Sequence, residues 1–213
     1  MRTITKVATA GVGMLTIGVL VAGPALAAEP GDGYGPGSGG RSMSQNGGYG
    51  PGNGGYGPGN GGCLLDTPSG TLTAAQRPTL QANAQEEKLA HDLYTEFAAR
   101  YDDPVFDRIA ASETRHLEAV RTLLARYGIT DPTAGQAVGS FGDRTVQATY
   151  ADLLAKGVTG ESAALEVGRT VETTDIAHLR AAAEGLTAPD VQRVYQQLLN
   201  ASQHHLAAFE HRL

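Results

Sequence analysis

The chain has 213 residues, 29 of them Gly, with no Trp, one Cys and a formal charge of -6. Its few Lys and Arg are scattered and its balance is acidic, which excludes the basic stripe of a nucleic-acid binder, so no nucleic-acid partner is expected. The lone Cys63 cannot close an internal disulfide; it is either a free thiol or one half of an intermolecular bridge.

Residues 1–28 open with basic Arg2 and Lys6, continue through an uncharged run from Val7 to Gly23, and end in Pro24-Ala25-Leu26-Ala27-Ala28. This is the pattern of a secretory signal peptide cut after Ala27 or Ala28. The apolar run approaches the length that spans a bilayer, but it ends in a cleavage motif, so no stable membrane insertion is expected after cleavage. A secreted or extracytoplasmic location follows, with cell-wall association as one form of it.

From Glu29 to Gly62 Gly dominates, and the unit Gly-Gly-Tyr-Gly-Pro-Gly-Asn stands at 47–53 and again at 54–60. Such a segment has almost no aliphatic surface to offset its chain entropy, so residues 29–70 are expected to be a disordered linker. Tyr34, Tyr49 and Tyr56 recur in matching contexts. The tract serves either as a passive spacer or as a segment that contacts cell-wall polymer or other copies of the chain; a homodimer is a further open expectation.

Residues 71–213 suffice for one domain with one core, and the periodicity of every long segment is helical, so the class is all-α. The first helix has Thr73 as N-cap with Gln76 three places on, tolerates Pro78 in its first turns and is expected to run to about Tyr101. Its apolar stripe is Leu89, Ala90, Leu93, Tyr94, Phe97 and Tyr101, with Glu86 near the centre and Glu87 on the edge. The second helix follows Asp103-Pro104 and stops at Gly128; Glu113 and His116 lie mid-stripe among Phe106, Ile109, Ala110, Leu117, Val120, Leu124 and Tyr127.

A Gly-rich connection then leads to a short helical piece around Val146 to Lys156, and a third long helix is expected from about Gly160 to Glu184. Leu165, Gly168, Ile176, Leu179 and Ala183 share a face with Glu172, and Asp175 lies beside it; Glu161, Glu166 and His178 are expected in solvent. In the fourth helix Thr187 offers a cap ahead of Pro189 and Asp190, and His205 lies mid-stripe while His204 points away.

Each long stripe thus carries ionisable groups where a bundle ordinarily places Leu or Ala. Buried carboxylates must be protonated, paired or bound to a cation. Carboxylate and imidazole are donors that Fe, Mn or Zn accept, and the i, i+3 spacing of Glu113 and His116 aims both at one point. Bundles holding two metal ions use a Glu from each of two helices and Glu-x-x-His from the others.

Over residues 71–213 the chain resembles the ferritin-like domains of unknown function that have a rubrerythrin-type four-helix bundle. The resemblance rests on Glu86-Glu87-Lys88-Leu89-Ala90 with Asp92 and Tyr94, on Ser112-Glu113-Thr114-Arg115-His116, on Val171-Glu172 with Asp175-Ile176, and on Ser202 with His205-Leu206 and Phe209. It implies that Glu87, which precedes Ala90 by three and Tyr94 by seven, is the first-helix ligand, with Glu86 as alternate. It further implies Glu113 as a bridging carboxylate, His116 as a terminal ligand and Glu172 as the third-helix carboxylate.

The fourth helix departs from the family pattern: Glu-x-x-His is replaced by Ser202-Gln203-His204-His205. With Asp175 in place of the missing acid, the implied ligand set is Glu87, Glu113, His116, Glu172, Asp175 and His205; without it, one metal ion or none would bind. Two irons or two manganese ions are the implied cofactor, and ferrous oxidation, peroxide reduction or metal storage the implied activities, with Tyr94 as a neighbouring redox or hydrogen-bonding group. The competing reading is a metal-free exported structural or interaction module whose inner Glu, Asp and His form a salt-bridged core.

Overall fold

The structure, a computed structural model, describes residues 66–213. The expected signal peptide, Cys63 and the Gly/Tyr tract through residue 65 lie outside the described residues. Those described form five helices and no strand: α1 (Gln76–Ala98), α2 (Pro104–Arg126), α3 (Arg144–Gly157), α4 (Glu161–Ala183) and α5 (Pro189–Glu210).

Local chemistry sets most of the boundaries. Before α1, Thr73 N donates to Gln76 Oε1 at 2.9 Å and Gln76 N to Thr73 Oγ1 at 3.2 Å, the reciprocal pairing expected from the sequence, although Ala75 rather than Thr73 holds the N-cap position. Asp103 caps α2 by accepting from Val105 N at 2.9 Å, with Pro104 in the first turn. After Arg126 the chain reverses through Gly128, whose φ of 59° lets Ile129 N reach back to Leu124 O at 2.8 Å. Asp143 caps α3 through Thr145 N and Val146 N.

Three further local expectations need correction. Helix α1 ends at Ala98 rather than Tyr101; Tyr101 instead leaves the axis and donates to Gly157 O at 2.8 Å. Ala183 is exposed at the last residue of α4. Thr187 does not cap α5: Ala188 holds that position, and Asp190 is drawn inward, where it accepts from Arg126 at 2.9 Å and from the Tyr127 hydroxyl. A fully buried carboxylate is better served by a guanidinium and a phenol than by a frayed helix end.

Helix α1 packs on α2 and α4 on α5, and the two pairs meet through α1 with α4 and α2 with α5; α3 lies against α1 and α4. Each long helix contributes to two separate apolar clusters. One holds Leu93, Phe97, Phe106, Ile109, Leu165 and Phe209; the other holds Leu80, Val120, Leu124, Leu179, Val194 and Leu198.

The order in which each helix visits the clusters makes α2 and α4 run in the same direction, so the chain must return along the bundle between them. Residues 127–160, α3 included, make that return. Lys88 fastens the returning segment to α1: it is buried, paired with Asp92, and donates to Ala137 O at 2.9 Å, while Asp92 accepts from Gly139 N at 2.8 Å. Between the two apolar clusters lies a polar level.

Candidate functional site

The polar level is built from the middle of four helices. Glu87 comes from α1, Glu113 and His116 from α2, Glu172 and Asp175 from α4, and Ser202 and His205 from α5. The three Glu side chains are no more than 3% exposed. These groups are distant in sequence, but each sits where its helix passes from one apolar cluster to the other.

Glu113 is the common corner. Its Oε2 lies 2.7 Å from His116 Nδ1, and its Oε1 lies 2.8 Å from His205 Nδ1. The first is an aligned hydrogen bond; the second pair faces off the line a hydrogen bond requires, so it is an approach of charges. Glu87 Oε2 is 3.3 Å from His116 Nδ1, and Glu172 Oε2 is 3.7 Å from His205 Nδ1. The two imidazoles lie stacked, their centroids 5.5 Å apart.

Donor atoms of Glu87, Glu113 and His116 lie within 4.8 Å of one another, as do those of Glu113, Glu172 and His205. Asp175 belongs to neither triad. Its Oδ2 accepts from Ser202 Oγ at 2.7 Å, and its Oδ1 has no hydrogen-bond partner among the described residues. Other contacts orient the set: the Tyr94 hydroxyl donates to Glu172 Oε1 at 2.7 Å, and Ser112 Oγ lies 3.3 Å from His116 Nε2. Ser112 Oγ at Nε2 and Glu113 at Nδ1 together fix the plane of the His116 ring.

The level is short of positive charge. Burial raises Glu87 well above the carboxylate range, and the charges of Asp175 and Glu113 push the same way. Asp175 is raised well up by burial and by Glu86 and Glu172, and Glu172 is raised by burial. Burial would raise Glu113 too, but the hydrogen bond from His116 and the charges of both imidazoles overcome it and hold it far down. Burial disfavours charged imidazoles, yet Glu113 and Glu87 lift His116 to about 11, and Glu113 and Glu172 lift His205 to about 9.

Glu86, at the centre of the α1 stripe by projection, does not join the triads; its Oε1 pairs with His178 Nδ1 at 2.6 Å. His178 is therefore not the solvated residue expected: Glu86 holds it against α1 and raises it above the ordinary imidazole value. The available signal was its place one turn after Asp175. Glu161 and His204 are exposed, as expected, and Glu166 pairs with Arg169 at the surface.

A cavity of about 1120 Å³ opens between α1, α3 and α4. Its lining includes Glu86, Glu87, Glu113, Glu172, Asp175 and His178, along with Leu89, Val146 and Val171. The site carboxylates are thereby reachable from one side of the bundle.

Residues 79–213 match the family described as an uncharacterized protein domain, DUF2202. The chain is similar to uncharacterized protein MJ0754 of Methanocaldococcus jannaschii, with 34% identity over 146 residues that cover 68% of this chain and 79% of the relative. The crystal structure of that hypothetical protein has a TM-score of 0.65 to this one at 34% identity, covering 67% of this chain and 81% of the other. With the match spanning more than half its length, this chain belongs to the DUF2202 family.

Proposed function

We propose that the chain is a ferritin-like metal-binding protein that holds a di-iron or di-manganese centre. Glu87, Glu113 and His116 would hold one ion and Glu113, Glu172 and His205 the other. Asp175 stands beside the triads as a further carboxylate, in partial compensation for the acid absent from α5. The observation that carries the reading is Glu113, which turns one oxygen toward each histidine and so serves both triads.

The donor set fits such a centre in its chemistry, hard carboxylate oxygens with imidazole. It also leaves buried atoms unsatisfied: Glu87 Oε1, Glu113 Oε1 and His205 Nδ1 have no hydrogen-bond partner among the described residues. Such atoms are rare in a folded core and call for a counterpart. Tyr94 and Ser112 fix the orientation of Glu172 and His116, and the two apolar clusters bound the level at either end.

When bound, the ions would supply Lewis-acid activation of oxygen or peroxide, which makes ferrous oxidation, peroxide reduction and metal storage the activities to assay. The reading includes export, on the strength of residues 1–28, and a spacer or wall-contacting role for the Gly/Tyr tract.

A metal-free structural module is the second reading. It draws support from the ion pairs of Glu113 with His116 and His205, which in themselves form a salt-bridged core. Thermal unfolding of the full chain with Mn²⁺ and with chelator separates the two. Under the metal reading Mn²⁺ raises the Tm of wild type and leaves Glu113→Ala unmoved; at a hundredfold excess over Kd the gain is about 2.7 kcal/mol. Equal Tm values for wild type with Mn²⁺ and with chelator would remove the metal reading.

A further inference from the structure

Metal ions bound at the two triads would need a way in. The apolar clusters close the bundle core above and below the polar level, and the cavity between α1, α3 and α4 reaches its carboxylates. The two histidines of the triads do not line that cavity. The approach is therefore from the acidic side of the level, with His116 and His205 behind the carboxylates.

Along this approach the acids are graded in exposure. The Glu86 side chain is 14% exposed and its partner His178 29%, whereas Glu87 is 3% and Glu172 2% exposed. Asp175 lines the same cavity on α4, one turn before His178. Glu87 and Glu113 line the cavity and are among the residues with a buried, unpartnered oxygen. The cavity thus leads from a slightly exposed carboxylate at its wall to orphaned oxygens deeper in.

We propose that Glu86 and then Asp175 hand a divalent metal ion in turn down the cavity toward the triads, with His178 as the partner that Glu86 releases. This rests on the metal reading above. Glu86 is the first carboxylate the ion meets; His178 holds it at 2.6 Å and gives it up when the ion takes its place. Asp175, anchored at one oxygen by Ser202, has the other oxygen free to receive the ion next. A chain of carboxylates lowers the cost of removing water from a divalent ion in steps, and a negatively lined cleft raises the local concentration of cations. The role is transit: neither Glu86 nor His178 belongs to either triad.

The test is the rate of Co²⁺ uptake by the metal-free full chain, followed by stopped-flow absorbance, together with the final stoichiometry by elemental analysis. Glu86→Gln and His178→Gln change little in volume and keep the helices intact, as far-UV circular dichroism would verify. Glu166→Gln removes the same charge at the surface of α4, in the exposed pair with Arg169, and serves as control. Glu86→Gln should slow uptake by about tenfold or more, a size typical of lost electrostatic steering, with the wild-type final stoichiometry, while Glu166→Gln loads as wild type. Uptake by Glu86→Gln at the wild-type rate would overturn the proposal, and so would a lower final stoichiometry, since Glu86 would then be a resident ligand. A wild-type chain that takes up no Co²⁺ would instead remove the metal reading on which this one stands.

Discussion

Tyr94 on α1 donates its hydroxyl hydrogen to Oε1 of Glu172 on α4 at 2.7 Å, and both side chains are fully buried. The bond ties the two helix pairs together at the polar level and fixes which oxygen of Glu172 faces His205. Tyr94→Phe keeps the ring against Phe209, whose centroid is 5.2 Å away, and removes only the donor. A buried carboxylate left short of a partner should lower the stability of the metal-free chain by about 1–3 kcal/mol in urea unfolding. No measurable loss would mean that this bond contributes nothing.

Lys88 and Asp92 are both buried, and they hold the returning segment on α1 through Ala137 O and Gly139 N. Lys88→Met leaves Asp92 buried without its cation and should cost about 3–5 kcal/mol, whereas Lys88→Met with Asp92→Leu removes both charges and should recover much of that loss. Hydrogen exchange of amides 137–141 should quicken in the single variant. A single variant as stable as wild type would contradict the clamp.

Gly168 packs beneath the ring of Phe209, and a Cβ placed there would come within 2.6 Å of that ring. Phe209 is fully buried, with the rings of Tyr94 and Phe106 against it. Gly168→Ala should therefore destabilise by about 1–3 kcal/mol, in spite of the better helix propensity of Ala, as read by thermal unfolding.

His178 owes its raised pKa first to the hydrogen bond with Glu86. A histidine whose folded-state value lies above the unfolded one adds stability that is fully present below the unfolded pKa, about 6.5, and is lost as pH rises through the folded value. NMR titration of the His178 ring should give a midpoint above 6.5 in wild type and a lower one in Glu86→Gln. A midpoint that does not move on substitution would show that Glu86 is not the cause.

Much of this was readable in the sequence because it depends on neighbours a few residues apart. The Thr73 and Gln76 pairing, the Asp103 cap and the reversal at Gly128 are local, and the inner stripes placed Glu113, His116, Glu172 and His205 at mid-helix. What the sequence left open depends on how helices rotate against one another. Projection put Glu86 at the stripe centre and Glu87 at its edge, yet a rotation of under 100° decides which one faces α2 and which α4. Glu86 faces His178 as a result, and the α4 sequence alone, which does not show that partner, predicts His178 in solvent. The pairing of Asp190 with Arg126 and Tyr127 likewise joins α2 to α5 across more than 60 residues. Lys88 and Asp92 are the exception: their i, i+4 spacing was visible, but their burial comes from the returning segment that covers them.

Elemental analysis decides whether Glu113 joins two metal sites. The full chain, purified without a metal-binding tag, is compared with the double variant Glu113→Ala/His116→Ala. Close to two iron or manganese ions per chain are expected in wild type, and their loss in the variant. Substoichiometric metal in both, with both proteins folded, would contradict the two-metal reading and leave a bundle whose buried acids and histidines serve only to hold its helices in register.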